Sequence, residues 1–287
     1  MLDSKRSLAD VSFVAFDTET TGTGPGTRLV EIAGIRFRIG VPPGANDTFQ
    51  TLVDPEQPIP PEAQEINQIT DAMVRGQPNA ARALAEFFAF AQDALLVAHN
   101  APFDAGIIGQ EIARNRIEPP PLPLFDTLKL SRRLFPGRSH SLDALIEVLG
   151  LPPQDARHRA LADAELVRHL IERATDAIGG PTKPLTQLIE HHGALTTLVD
   201  HRVKPARFPP ALALLESACR KPTKVKLTHD VGGGKLVARI VQPRLAYEWE
   251  NDGFLEAFCA EEGMVRVFRL DRITKVEPGA SSGFLFA

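Results

Sequence analysis

Apolar and polar positions follow two textures along the chain, and the change falls near residue 180. In the first part, β-rich runs give way to segments with helical spacing. VSFVAF (11–16) and LVEIAGIRF (29–37) are nearly continuous apolar runs separated by TETTGTGPGT, whose glycines and proline force a turn. They read as neighbouring antiparallel strands, and TFQTLV (48–53) extends them into a meander. Helical spacing appears at 80–92, ALLVAH (94–99) reads as a buried strand, and a helix follows from about Pro102 to Asn115 with proline in its first turn. EPPPLP (118–123) must be extended. SLDALIEVLG (141–150) is a helix capped by Ser141 and stopped by Gly150, and 158–178 is a longer helix ended by GGP. Strands alternating with helices point to an α/β or α+β layer fold.

After Gly179 come a short helical piece (184–190) and a basic, proline-containing stretch (200–224). The runs VKLTH, KLVARIV, LAYEWE, FLEAFC, MVRVFRL and RITKVE follow, broken by VGGG, NDG and EEG. That is the spacing of a small antiparallel sheet or barrel. The expected domains are 1–180, a basic helical and proline-containing connector at 181–222, and a mainly-β domain at 223–287.

Composition narrows the class. With 43% hydrophobic and 24% charged residues in 287, the chain is globular rather than disordered, collagen-like or coiled-coil. No apolar run approaches the roughly 18 residues of a membrane helix, and MLDSKRSLAD lacks a signal-peptide pattern, so a cytoplasmic protein without membrane partners is expected. Cys219 and Cys259 are the only cysteines, which excludes a disulfide framework or a four-cysteine metal site. Charge is unevenly placed: residues 201–226 carry +6 and residues 1–200 carry −8. An acidic front part beside a basic stretch is compatible with an acidic metal site next to a phosphate-tracking segment, and equally with a solvated linker.

The chemistry gathers at three places. VSFVAF runs directly into Asp17 and Glu19, and side chains two apart on an extended chain share a face. Like charges held that close repel unless a cation lies between them. HNAPFDAG (99–106) puts Asp104 in the first turn of a helix just after a buried strand, and HRALADAELV (158–167) puts His158 five residues before Asp163. Taken singly, each of these residues is as readily a cap or a surface group.

Together, FDTETTG (16–22), HNAPFD (99–104) and HRALADA (158–164) resemble the three motifs of the DnaQ-like 3′→5′ exonucleases, histidine subclass, in order and approximate spacing. The resemblance extends over roughly residues 10–178, through TLVDPEQPIPPEAQEINQITDAMV (51–74) and FDTLKLSRRLFPGRSHSLDALIEVLGL (125–151). One departure is Asn67-Gln68, where relatives carry His-Gly.

The resemblance implies an RNase H-like mixed sheet flanked by helices. Asp17, Glu19, Asp104 and Asp163 are then the metal ligands for two Mg²⁺ or Mn²⁺ ions and His158 the general base, while Thr18, Thr20, His99, Asn100 and Phe103 border the terminal nucleotide. The implied substrate is single-stranded or 3′-ended DNA. RNA is the alternative within this family, and a non-catalytic nucleic-acid-binding regulator is the rival outside enzymes. The segment at 51–74 and the long interval between the second and third motifs resemble the proofreading branch of the family more, and that resemblance favours DNA.

Residues 223–277 resemble the WYL domain, an Sm/SH3-like β-barrel module, through LAYEWENDGFLEAFC and MVRVFRLDRITKVE, with Gly253-Phe254-Leu255 where Trp-Tyr-Leu is expected. That resemblance makes Arg266, Arg269 and Arg272 candidates for contacting nucleic acid or a nucleotide-type ligand. Arginines alternating on an amphipathic strand can equally form a solvated face.

Overall fold

The computed structural model describes residues 3–152, 158–221 and 223–279, and the chain divides into two compact units. The first comprises residues up to Gly22 and Arg28–Arg202. Its elements are β1 (Phe13–Thr20), β2 (Leu29–Phe37), β3 (Thr48–Leu52), α1 (Pro61–Asn67), α2 (Asp71–Val74), α3 (Ala80–Phe90), β4 (Leu95–Ala98), α4 (Ala101–Asn115), β5 (Pro123–Asp126), α5 (Thr127–Leu134), α6 (Leu142–Leu149), α7 (Ala160–Ala177), α8 (Leu185–His192) and β6 (Thr196–Thr197). The strands form one mixed sheet in the order β3-β2-β1-β4-β5-β6, with β1, β4 and β5 parallel and β2, β3 and β6 antiparallel to their neighbours.

Helices cover both faces, which is why β1, β2 and β4 read as continuous apolar runs rather than alternating ones. Val14, Phe16, Leu96 and Ala98 face a core with Leu84 and Phe87 of α3 and Ile108 and Ile112 of α4. Phe13, Ala15, Leu95 and Val97 face the opposite core, with Leu130 of α5, Val167 and Ile171 of α7, and Leu185 and Leu188 of α8. Residues 181–202, expected as connector, therefore belong to this unit: α8 fills its core, and β6 pairs with β5. The sequence pattern does not show α1, α2 or β5, because these elements are too short for their spacing to be distinctive, nor α5, whose buried positions Thr127, Leu130 and Ser131 are mostly polar.

The second unit comprises Thr23–Thr27 and the chain from Val203 onward. It contains β7 (Lys204–Pro205), α9 (Ala213–Arg220), β8 (Val225–Asp230), β9 (Leu236–Trp249), β10 (Asp252–Cys259), β11 (Met264–Arg269) and β12 (Ile273–Pro278). All its strands are antiparallel, in the order β11-β10-β9-β8-β12, with β7 on β9. KLVARIV and LAYEWE are one strand rather than two: β9 runs through Pro243, which pairs with Ala257 where the register slips, the irregular position that lets a strand carry proline. The expected barrel is not closed. A turn of three residues, Leu270–Arg272, links the outer strands β11 and β12, yet these do not pair with each other among the described residues. Among the described residues no helix is long and apolar enough to cross a membrane.

Candidate active site

Side chains of a strand point alternately to its two faces. Phe13 and Ala15 face the α7 side, so Asp17 and Glu19 continue that row beyond the core, while Thr18 follows Val14 and Phe16 to the α4 side. Asp163 arrives on the first turn of α7, where the free N–H groups of a helix start favour negative charge. One carboxylate oxygen each from Asp17, Glu19 and Asp163 lie within 4.8 Å of one another. Three hard oxygen donors this close suit a divalent cation such as Mg²⁺ or Mn²⁺.

Asp104 lies outside this trio, on the other face of β1. Its Oδ1 accepts from the Thr18 N–H at 3.0 Å and the Thr18 hydroxyl at 2.7 Å, and only 3% of the residue is exposed. Burial pushes its carboxyl up to about 7 against the opposing pull of the two Thr18 hydrogen bonds. The start of α4 is set by Asp126, whose Oδ1 accepts from the N–H groups of Asn100 at 3.0 Å, Ala101 at 3.4 Å and Leu128 at 3.0 Å. The buried His192 in turn accepts from the Asp126 N–H at 2.9 Å through Nε2. The His191-His192 pair, without an evident role in the sequence, thus contributes a structural histidine.

His158 is exposed, in the left-handed backbone region (φ 59°), two residues before α7 begins. What fixes this corner is its neighbour. Arg159 donates Nη2 to Oε1 of Glu31 at 2.7 Å and Nε to Oε2 at 3.0 Å, and the Ala160 N–H donates to the same Oε2 at 3.1 Å. Glu31 is 0% exposed and also accepts from Gln50 Nε2 at 2.8 Å. It stands directly opposite Glu19 in the β1–β2 register, so Arg159 neutralises a carboxylate that would otherwise repel that of Glu19. Sequence reasoning missed this pair, although a lone glutamate inside LVEIAGIRF signals it, because a buried charge must find a partner.

The other expected contacts separate. Thr20 spends its hydroxyl on the Gly22 carbonyl at 2.7 Å, and Phe103 packs on the core shared by α3 and α4. His99 is tied through Nδ1 to the Thr127 hydroxyl at 3.0 Å and through Nε2 to the His140 carbonyl at 2.8 Å, and burial holds its pKa below the ordinary value. Asn100 is exposed. At the departure from the resemblance, Asn67 donates Nδ2 to the Thr20 carbonyl at 3.2 Å, and Gln68 takes the left-handed cap of α1 (φ 59°). In the second unit, Arg266 and Arg269 are an odd number of residues apart on β11 and so point to opposite faces. Arg266 pairs with Glu262 at 3.1 Å and Arg269 with Asp252 at 2.9 Å and Asp271 at 2.7 Å, whereas Arg272 is exposed in the turn before β12. The three arginines do not form one face.

The family model described as Exonuclease matches residues 14–170, more than half of the chain. The chain belongs to the exonuclease family. The WYL-domain model matches residues 210–278. The DNA polymerase III subunit epsilon of Treponema pallidum is 32% identical over 211 residues, covering 72% of this chain and 88% of that protein. The PolC-type DNA polymerase III of Halalkalibacterium halodurans is 37% identical over 58% of this exonuclease-family chain, which spans only 11% of the polymerase. Among solved structures, the nuclease domain of 3′hExo, a DEDDh family member bound to rAMP, shares the fold at a TM-score of 0.53 with 17% identity, covering 60% of this chain and 95% of that domain.

Proposed function

We propose that the protein is a metal-dependent 3′→5′ exonuclease that releases nucleoside 5′-monophosphates from DNA. The observation that carries this reading is the convergence of Asp17, Glu19 and Asp163 within 4.8 Å, in a chain of the exonuclease family. Asp17, Glu19 and Asp163 hold Mg²⁺ or Mn²⁺, two ions per site, and Asp104 joins them from the far side of β1. The bound cations supply the positive charge that polarises the phosphodiester and acidifies the attacking water. His158 takes the proton from that water as the general base. The water oxygen bonds to phosphorus as the bond to the 3′ oxygen of the preceding nucleotide breaks. The products are a nucleoside 5′-monophosphate and a strand shortened by one residue with a free 3′ hydroxyl.

Relatives that are DNA polymerase III subunits favour DNA over RNA. Residues 210–278, which match the WYL model, are assigned an accessory role in binding nucleic acid or a nucleotide-type ligand. Matched 5′-labelled DNA and RNA oligonucleotides, incubated with Mg²⁺, Mn²⁺ or EDTA, test the reading. A ladder shortening one nucleotide at a time from the 3′ end, faster on DNA and abolished by EDTA, is the expected result. An intact strand under all conditions, or cleavage in EDTA, overturns it.

A further inference from the structure

Beside the carboxylates, the ends of β4 and β5 open into a cavity of about 530 Å³ lined by His99, Asn100, Leu128, Arg132, Arg138 and Leu142 among others. Its position follows from the sheet. β1, β4 and β5 are parallel, so all three end at the same edge, and Asp17 and His99 each stand two residues beyond the pair Ala15–Val97. Adjacent strands are about 4.8 Å apart, which puts the cavity mouth one or two strand spacings, about 5–10 Å, from Asp17. Among the described residues no carboxylate lines the cavity. Arg132 and Arg138 are exposed, and neither forms an ion pair among the described residues.

The cavity wall is also fixed. Leu128 and Arg132 are one turn apart on α5, which Asp126 caps. The loop that carries Arg138 is pinned at both sides of His140, whose carbonyl accepts from His99 Nε2 at 2.8 Å and whose own Nε2 bonds to the Phe135 carbonyl at 3.2 Å. Two unpaired guanidiniums over a polar floor, with Leu128 and Leu142 as apolar flanks, match a nucleotide unit: phosphate on the arginines, sugar or base against the leucines.

We propose that this cavity is a subsite for a backbone phosphate of the same strand, upstream of the bond being cut, and that Arg132 and Arg138 bind it. The proposal rests on the exonuclease reading, which fixes where the strand ends. Arg132→Ala, Arg138→Ala and the double variant of the full chain are compared on two substrates. The p-nitrophenyl ester of thymidine 5′-monophosphate has no upstream phosphate, and a single-stranded DNA 12-mer has several.

For the double variant, KM for the 12-mer should rise at least about tenfold, the scale of a lost charge-assisted hydrogen bond, with kcat little changed. The slope of log affinity against log salt should flatten by about 0.7, the value for one lost phosphate contact on a single strand. The ester should be hydrolysed at the wild-type kcat/KM. A single methylphosphonate, scanned along the linkages nearest the 3′ end, should cancel the variants' penalty at one position. Equal losses on both substrates, no loss on the 12-mer, or a penalty indifferent to every methylphosphonate would each overturn the subsite. If the wild-type protein hydrolyses neither substrate, the exonuclease reading fails by itself. Affinity for the 12-mer in EDTA then still decides the subsite: about tenfold weaker binding by the double variant upholds it, and equal binding ends it.

Discussion

Asp104 brings a carboxyl group into a place with 3% exposure, where the Thr18 N–H and hydroxyl donate to it. Its carboxyl, pushed up to about 7 from an ordinary 3.8, keeps in the folded chain a proton that the unfolded chain has released between those two values. Raising the pH through that window therefore weakens the metal-free fold. Asp104→Asn removes the charge and keeps an Oδ1 acceptor for Thr18. In EDTA at pH 8 the variant should be more stable than wild type by about 1–3 kcal/mol, with the difference closing as the pH falls towards 4. Denaturant midpoints measured across that range check this, and equal midpoints at pH 8 would mean the carboxylate is solvated. The same variant should lose hydrolysis in Mg²⁺ by about 10²–10³-fold or more, because the charge of a proposed metal ligand is gone while the fold stays. At this scale the sequence was readable where chemistry and spacing coincide. The i, i+2 pair Asp17 and Glu19 announces itself at the end of an apolar run. What binds Asp104 does not, since Thr18 is 86 residues away and faces the other side of the strand.

Between elements, the decisive link is the one from β2 to the start of α7. Glu31 accepts both prongs of Arg159 and the first N–H of the helix, so a single carboxylate sets the corner that carries His158 and the turn that carries Asp163. Glu31→Gln keeps the volume and one acceptor but leaves Arg159 without its counter-charge. A buried pair broken on one side costs about 3–5 kcal/mol, reduced here because Arg159 is partly exposed and can turn to water. The variant should remain folded with a lower Tm, and kcat should fall about 10–100-fold with a smaller change in KM, the signature of misplaced rather than missing catalytic groups. An unchanged kcat would show that α7 is positioned by its core face alone. The long elements were legible because their burial imposes a period, as in α4 and α7. Strand β9 was not, because Pro243 looks like a break and turns out to sit at a register slip. Nor was the corner at His158, where a positive φ leaves no mark in residue spacing.

For the whole chain, the texture change near residue 180 suggests a boundary earlier than the one the packing draws. The run 181–202 looks polar and irregular, yet Leu185 and Leu188 are 0% exposed in the core beneath α5 and α7, and the N–H of Leu8 donates to the Lys183 carbonyl at 2.9 Å. The basic stretch is likewise divided: Arg202 pairs with Glu118 in the first unit, while Lys204 and the bases after it belong to the second. A chain cut after Gly180 would lose both leucines and the His192 side chain that satisfies the Asp126 N–H. Each large buried side chain removed costs about 2–5 kcal/mol, so the total approaches the whole stability of an ordinary domain, about 5–15 kcal/mol. A chain cut after Arg202 keeps α8, β6 and both cores of the first unit. The shorter fragment should be insoluble or unfold without a cooperative transition. The longer one should melt in a single step and hydrolyse the nitrophenyl ester in a metal-dependent reaction, because Asp17, Glu19, Asp104, His158 and Asp163 all precede the cut. Calorimetry and ester hydrolysis on the two fragments decide between the boundaries: a folded, active chain ending at Gly180 would show α8 to be dispensable, and an unfolded chain ending at Arg202 would show that the first unit needs residues beyond it.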